Sequence, residues 1–131
     1  MIALTTRDGG TVNVSGHLVK RARRAIDGED LKGGVRTRID WVEMLLVREP
    51  IEEVAIAVQR ELPTFTCVTS RDGSKIWFNG KLAAGPLALT PGQDYGVVRS
   101  AIKLLGYRQF VTETPDEVRA ILSLSGGEVL P

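Results

Sequence analysis

The sequence predicts an α+β fold made by tandem duplication of a ββαβα unit. Three observations support this class: motifs of the first half return in the second half at an offset of 64 positions, Asp-Gly pairs interrupt β-type segments, and apolar residues elsewhere recur at helical spacing. A half of this length would be marginally stable alone. We therefore expect one domain spanning residues 1–131, with repeats 1–64 and 65–131 sharing one core about a pseudo-two-fold axis.

The repeat is clearest where residues 5–9, TTRDG, return at 69–73 as TSRDG. Further matches at the same offset are Gly16-x-Leu18 with Gly80-x-Leu82, Gly28-x-Asp30 with Gly92-x-Asp94, and Val47-x-Glu49 with Val111-x-Glu113. An offset of 63 aligns residues 35–37 with 98–100, which indicates one inserted or lost residue. Positions kept in both copies are expected to serve folding, and the differences are candidates for function.

Each copy is predicted to open with a β-hairpin, because Asp8-Gly9 and Asp72-Gly73 are typical of a two-residue turn. This register gives a predicted core face of Phe65, Cys67, Thr69, Ile76 and Phe78, and in the first copy of Met1, Ala3, Thr5, Val12 and Val14. The other face, with Ile2, Leu4, Val68 and Trp77, is predicted to be half exposed and available for self-association.

A helix is predicted next in each copy. The apolar residues at helical spacing are Leu31, Val35, Ile39 and Val42 after a cap at Asp27, and Tyr95, Val98, Ile102 and Leu105 after a cap at Thr90. A third strand is expected at 43–49 and at 107–113. A closing helix is expected to start at Pro50 and at Thr114-Pro115, where early acidic residues favour a helix N-terminus. The tail after Gly126-Gly127 is expected to fray.

The composition argues against several classes of function. The formal net charge is +1, so any electrostatic role must be local. Cys67 is the only cysteine, and neither a membrane span nor a secretory leader is recognisable, so the sequence favours a cytoplasmic protein without a membrane partner. His17, the only histidine, has no neighbours at ligand or triad spacing. We therefore expect no metal, no cofactor and no catalytic residues, and a non-enzymatic protein is favoured.

A basic segment in the first copy is the largest difference between the repeats. It contains Lys20, Arg21, Arg23 and Arg24, whereas the matching residues 84–88 are uncharged. A short helix here would place all four cations on one exposed side. The alternative is a solvated face paired with Glu29 and Asp30.

The arginine before each Asp-Gly pair is also kept, although turn geometry explains only the Asp and the Gly. The first functional hypothesis is therefore a binder of an anionic partner, either nucleic acid or a nucleotide-like ligand. It uses the basic segment together with Arg7 and Arg71, and helix N-termini at Gly28 and Gly92 would add backbone amides.

The second hypothesis is a protein-interaction or inhibitor module, including the case of a homo-oligomer such as a dimer. It uses Lys75 and Trp77 on the predicted half-exposed sheet face, because outward-facing tryptophan is a common interface anchor. The alternative for Trp77 is packing between the copies or under a helix.

Overall fold

The structure, a computed structural model, describes residues 1–29 and 33–131, and within them the chain forms an α+β fold with two helices and three sheets. The first half contains β1 (Ile2–Thr5), β2 (Thr11–Val14), β3 (Arg21–Arg24), β4 (Thr37–Asp40), β5 (Met44–Val47) and α1 (Ile51–Glu61). The second half contains β6 (Phe65–Thr69), β7 (Lys75–Asn79), β8 (Ala83–Leu87), β9 (Ser100–Leu104), β10 (Tyr107–Val111), α2 (Pro115–Ser125) and β11 (Glu128–Val129). A short 3-10 turn follows β2 and β7.

The two halves are joined by strand pairing. The five-stranded sheet has the order β5-β4-β3-β7-β6, so the hairpin of the second half completes the sheet of the first half through the antiparallel pair β3–β7. The four-stranded sheet has the order β10-β9-β8-β11, and β1 and β2 form a sheet of their own. A bridge between Thr6 and Val47 links β1 to the end of β5, and Thr112 N donates to Thr69 O at the corresponding place in the second half.

The predicted hairpins are present, but their register differs by one residue from the prediction. Gly9 N donates to Thr6 O and Thr6 N donates to Gly10 O, which makes a three-residue loop with Gly9 at a φ of +89°. A three-residue loop closed by a glycine of positive φ shifts the pairing by one relative to a two-residue turn. The hairpin β6–β7 has the same loop, with Gly73 at a φ of +88°.

This shift exchanges residues between the two faces. Ile2, Leu4 and Val68, predicted to be half exposed, are 8%, 3% and 1% exposed and belong to the core. Met1 and Ala3, predicted to be core residues, are exposed. Of the other predicted core residues, Val14, Phe65, Ile76 and Phe78 are buried, whereas Thr5, Val12, Cys67 and Thr69 are only half buried. The apolar surface predicted to support self-association is therefore mostly buried.

The first predicted helix of each half is wrong. Residues 37–40 and 100–104 are strands, and residues 34–36 and 88–99 form turns and irregular chain. Glycines in the left-handed region interrupt these loops, including Gly28, Gly34, Gly92 and Gly96. The predicted helix residue Leu31 and the predicted ion-pair residue Asp30 lie outside the described residues. Residues 88–99 contain no helix, so Gly92 offers no helix N-terminus to an anion. The residues that follow Gly28 lie partly outside the described residues.

The third strand and the closing helix are confirmed in both halves. The helix α2 begins with a capping box, in which the Thr114 side chain accepts from Glu117 N and the Glu117 side chain accepts from Thr114 N. The helix α1 begins after Pro50 with Glu52 and Glu53 in its first turn. The tail does not simply fray, since β11 pairs with β8 in parallel and Leu130 N donates to Gly85 O.

The buried apolar residues form two clusters, and the first of them contains residues of both halves. The first is formed by first-half residues and Phe65, and the second by second-half residues from Val68 to Leu122. Each closing helix covers its own cluster, with Val54 and Val58 in one and Val118 and Leu122 in the other. No helix in the described part of the chain is long and apolar enough to cross a membrane.

Candidate functional site

The basic segment is a central strand and not a helix. Arg21–Arg24 form β3, which is bonded to β4 on one side and to β7 on the other. Ala22 is fully buried, and the side chains of Arg21 and Arg23 lie on the opposite face. The prediction that all four cations share one exposed side is therefore wrong.

Arg21 and Arg23 are neutralised by acids. Arg21 Nε lies 2.7 Å from Asp40 Oδ2, and Arg23 binds Glu29 with two hydrogen bonds of 3.0 and 2.9 Å. Arg38 bridges the two acids, with contacts of 3.2 Å to Glu29 and 3.1 Å to Asp40. Bidentate pairing of this kind positions guanidinium groups firmly. This part of the segment is consistent with the alternative reading of a paired face.

Glu29 is held as a carboxylate by this network. Burial raises its pKa, but hydrogen bonds from Arg23, the Ile26 backbone and Arg38 outweigh burial and lower the pKa to about 2. The carboxylate is therefore charged at neutral pH, and it cancels one of the neighbouring guanidinium charges.

The remaining cations of the segment lie apart from this network. Arg24 is exposed at the end of β3 and faces a groove beside the turn of the β6–β7 hairpin. Two adjacent concavities of about 440 and 470 Å³ share Ser70, Asp72 and Gln109. Arg24 lines the first concavity, and Arg71 and Arg108 line the second. We call this surface the turn groove and define it by Arg24, Ser70, Arg71, Asp72, Arg108 and Gln109.

The turn groove carries an excess of positive charge. Among the described residues that line the two concavities, Asp72 is the one carboxylate. It accepts from the Ser70 hydroxyl, from Ser74 N at 2.9 Å and from Ser74 Oγ at 2.6 Å. These hydrogen bonds, the one from the Ser70 side chain first, lower the pKa of Asp72 to about 2. Arg23 also lines the first concavity, but it is paired with Glu29. With Asp72 ionised, the guanidinium groups of Arg24, Arg71 and Arg108 face one carboxylate, which leaves two positive charges among the described lining residues.

Comparison with protein-family models, with curated proteins and with solved structures found no match to this chain. Among residues 1–29 and 33–131, no three His, Cys, Asp or Glu side chains are grouped so that they could hold a metal ion.

The structure separates the two repeated arginines. Arg7 lies on the β1–β2 turn in the first half, where its carbonyl accepts from Arg48 Nη2 at 2.5 Å, and it lines neither concavity of the turn groove.

Lys20 lies on another surface, in a shallow groove with Trp41 and Tyr107. Of the six predicted ligand-binding residues, only Arg23, Arg24 and Arg71 line the turn groove, and Arg23 is bound to Glu29 there.

The residues predicted for protein interaction lie on β7. Trp77 is half buried and stacks on Phe65, with ring centroids 5.9 Å apart and an interplanar angle of 22°. It packs against the first core cluster, as the alternative interpretation expected. Lys75 is exposed, and its Nζ donates to Thr69 Oγ1 at 2.8 Å. Their role in partner binding stays a prediction.

Sequence reasoning missed Arg108 and Gln109. They belong to β10 and reach the groove because Thr112 N donates to Thr69 O, which places β10 beside β6. Nothing in the sequence indicates that residues of β10 lie beside a hairpin turn about 37 residues earlier, because this proximity depends on non-local strand pairing.

Proposed function

We propose that this chain is a non-enzymatic binding protein that engages a phosphate-bearing partner in the turn groove. The proposal is based on three arginines that line two adjacent concavities. Arg24 lies at the end of β3, Arg71 in the β6–β7 turn and Arg108 near the start of β10. Guanidinium groups bind phosphate oxygens in a bidentate manner, and clustered cations gain further affinity by releasing counterions from a nucleic acid.

The neighbouring polar groups suit the same partner. The Ser70 hydroxyl and the Gln109 amide line both concavities and can donate to phosphate or sugar oxygens. Asp72 accepts hydrogen bonds from Ser70 and Ser74, so its carboxylate is held within the turn. The expected partner is a nucleic acid strand or a nucleotide-like ligand.

The test is a fluorescence-anisotropy titration of a labelled single-stranded oligonucleotide, with a labelled nucleotide as a second probe. Arg71→Gln is expected to weaken binding about tenfold or more, since a hydrogen bond to a charged group contributes about 1.5–3 kcal/mol. Arg24→Gln and Arg108→Gln should have effects of the same direction.

The repeat supplies a matched control. Arg7→Gln removes the same side chain from the corresponding turn of the first half, outside the groove, and is expected to leave binding unchanged. Equal losses from Arg7→Gln and Arg71→Gln would contradict the proposed site. An absence of binding by the wild-type protein to both probes would contradict the proposed function.

We also propose that the halves are copies of one unit, of order ββ, 3-10 turn, βββ, α. In support, α1 and α2 begin at Ile51 and Pro115, a separation of 64 positions. Arg36 N and Arg99 N both donate to the last residue of the following strand pair, Val47 and Val111. An experimental structure in which residues 1–61 and 65–125 do not superpose would overturn this proposal.

A further inference from the structure

The outer edge of β2 is an open strand edge. β2 pairs with β1 in the register Ile2 with Val14 and Leu4 with Val12, and within residues 1–29 and 33–131 no strand pairs with its other side. Thr6 N bonds to Gly10 O at the closed end of the hairpin, so by the alternation of an antiparallel ladder Thr11 and Asn13 direct their backbone groups away from β1.

The second half contains the same edge in a paired state. On β7 the residues 64 positions later bond to β3, in the register Ile76 with Arg23, Trp77 with Ala22 and Phe78 with Arg21. Asn79 N donates to Lys20 O at the end of this ladder. The hairpin edge of this fold therefore accepts an antiparallel strand once inside the chain, and β2 presents the corresponding groups without a partner strand.

β2 also lacks the usual protection of an exposed edge. The sequence of the strand is Thr-Val-Asn-Val, without charge or proline, and its pairing with β1 is continuous. In the second half, β8 contains Pro86, has an irregular register between Ala84 and Leu87, and is covered by the short strand β11. β8 therefore has no free edge, because β9 and β11 flank it, whereas the outer edge of β2 is open.

We infer that the β2 edge is a docking site for a second copy of this chain, which adds its own β2 in antiparallel orientation. The second copy cannot supply β8, because β11 already occupies that edge and Pro86 has no N–H at the position matching Ala22. Two copies of β2 can pair about a two-fold axis, with Asn13 opposite Asn13 and Thr11 opposite Ser15. The result is a four-stranded sheet and a self-complementary dimer.

The side chains at this edge permit such pairing. Thr11 and Asn13 are exposed and uncharged, so two copies meet without like-charge repulsion. The residue across the hairpin from Asn13 is Ala3, also exposed, whose side chain shares the same face of the sheet. This dimer edge uses the first half of the chain, and its test is independent of the turn groove.

The first test is sedimentation velocity of the purified chain from about 1 µM to 1 mM. We expect a monomer–dimer equilibrium, and Asn13→Lys should raise the dimer dissociation constant about tenfold or more by placing two lysines opposite each other. Asn13→Pro should do the same by removing the central donor, while the β1–β2 ladder stays intact. Ala3→Lys, which adds the same charge to the inner strand, should leave the dimer unchanged.

The second test fixes the register. In a Cys67→Ser background, Asn13→Cys should form an intermolecular disulfide on mild oxidation, because directly paired residues of antiparallel strands have Cα atoms about 5.5 Å apart. Ala3→Cys should not. A chain that remains monomeric at 1 mM, or a dimer unaffected by Asn13→Lys and Asn13→Pro, would overturn the inference.

Discussion

Glu49 and Glu113 each accept a backbone hydrogen bond from the first strand of their own half. Both Glu49 carboxylate oxygens accept from Thr5 N, at 2.8 and 3.1 Å, and the Thr5 hydroxyl donates to the same group at 2.8 Å. Glu113 accepts from Thr69 N at 2.8 Å. These carboxylates satisfy the last N–H of β1 and of β6, where each hairpin meets the chain that follows β5 or β10. The repeat identified both glutamates as shared positions, but nothing in the sequence indicates this contact, which joins residues 44 positions apart.

Glu49→Ala should destabilise the protein by about 1–3 kcal/mol, because it leaves the Thr5 N–H without its acceptor. Glu113→Ala should cost less, since one hydrogen bond is lost there. Urea unfolding of the two variants and the wild type measures the difference, and Glu52→Ala on the exposed side of α1 is the control. A stability loss from Glu49→Ala no larger than that of the control would contradict this role.

The Glu29 network predicts a dependence of stability on pH. Its folded-state pKa of about 2 lies below the ordinary value of about 4.3, so its contribution is present above pH 5 and is lost as the pH falls towards 2. Glu29→Gln should lower stability at pH 7 and flatten the decline between pH 5 and 2. Thermal unfolding across this range checks the prediction, and parallel curves for the two proteins would contradict it.

At the scale of single elements, the hairpins and the closing helices were predictable, because Asp-Gly turns and proline with early acids are local signals. The register was not, since Asp-Gly also fits a three-residue loop in which Gly9 alone has positive φ. The predicted first helices failed for another reason. Ile102 and Leu104 are buried and Lys103 between them is exposed, which is the alternation of a strand. In a short window, the same apolar residues also match part of a helical pattern.

Two glycines are expected to differ sharply in their tolerance of alanine. At Gly73, whose φ is +88°, a Cβ would meet no atom within 4 Å, so Gly73→Ala should cost about 1–2 kcal/mol through the backbone alone. At Gly80, a Cβ would lie 2.1 Å from Ser125 Oγ and 2.6 Å from the Ser125 carbonyl oxygen. Gly80→Ala should therefore cost about 3 kcal/mol or more by separating α2 from the second 3-10 turn.

Urea midpoints of the two variants test this order. The Ser125 backbone contributes to the clash, so Ser125→Ala combined with Gly80→Ala should restore only part of the loss. Equal destabilisation by Gly73→Ala and Gly80→Ala would contradict the close packing of α2 on this turn.

At the scale of the whole molecule, the strands follow one another in the order β2-β1-β5-β4-β3-β7-β6-β10-β9-β8-β11. The repeat predicted similar halves, but it could not predict that the hairpin of one half joins the sheet of the other. Because the second-half hairpin joins this sheet, the basic segment β3 is an interior strand with neighbours on both sides. Arg21 and Arg23 on this strand are paired with the acids Asp40 and Glu29. Only Arg24, at the strand end, is left beside the turn of the second half.

We propose that the turn groove binds phosphate through its excess positive charge. The most direct measurement is the affinity of the wild-type chain for a single-stranded oligonucleotide as a function of salt concentration. With two to three phosphates neutralised, log K should fall with log salt with a slope of about −1.4 to −2. The slope should shrink by about 0.7 in Arg71→Gln and stay constant in Arg7→Gln. A wild-type slope near zero, or the same slope in all three proteins, would contradict the claim.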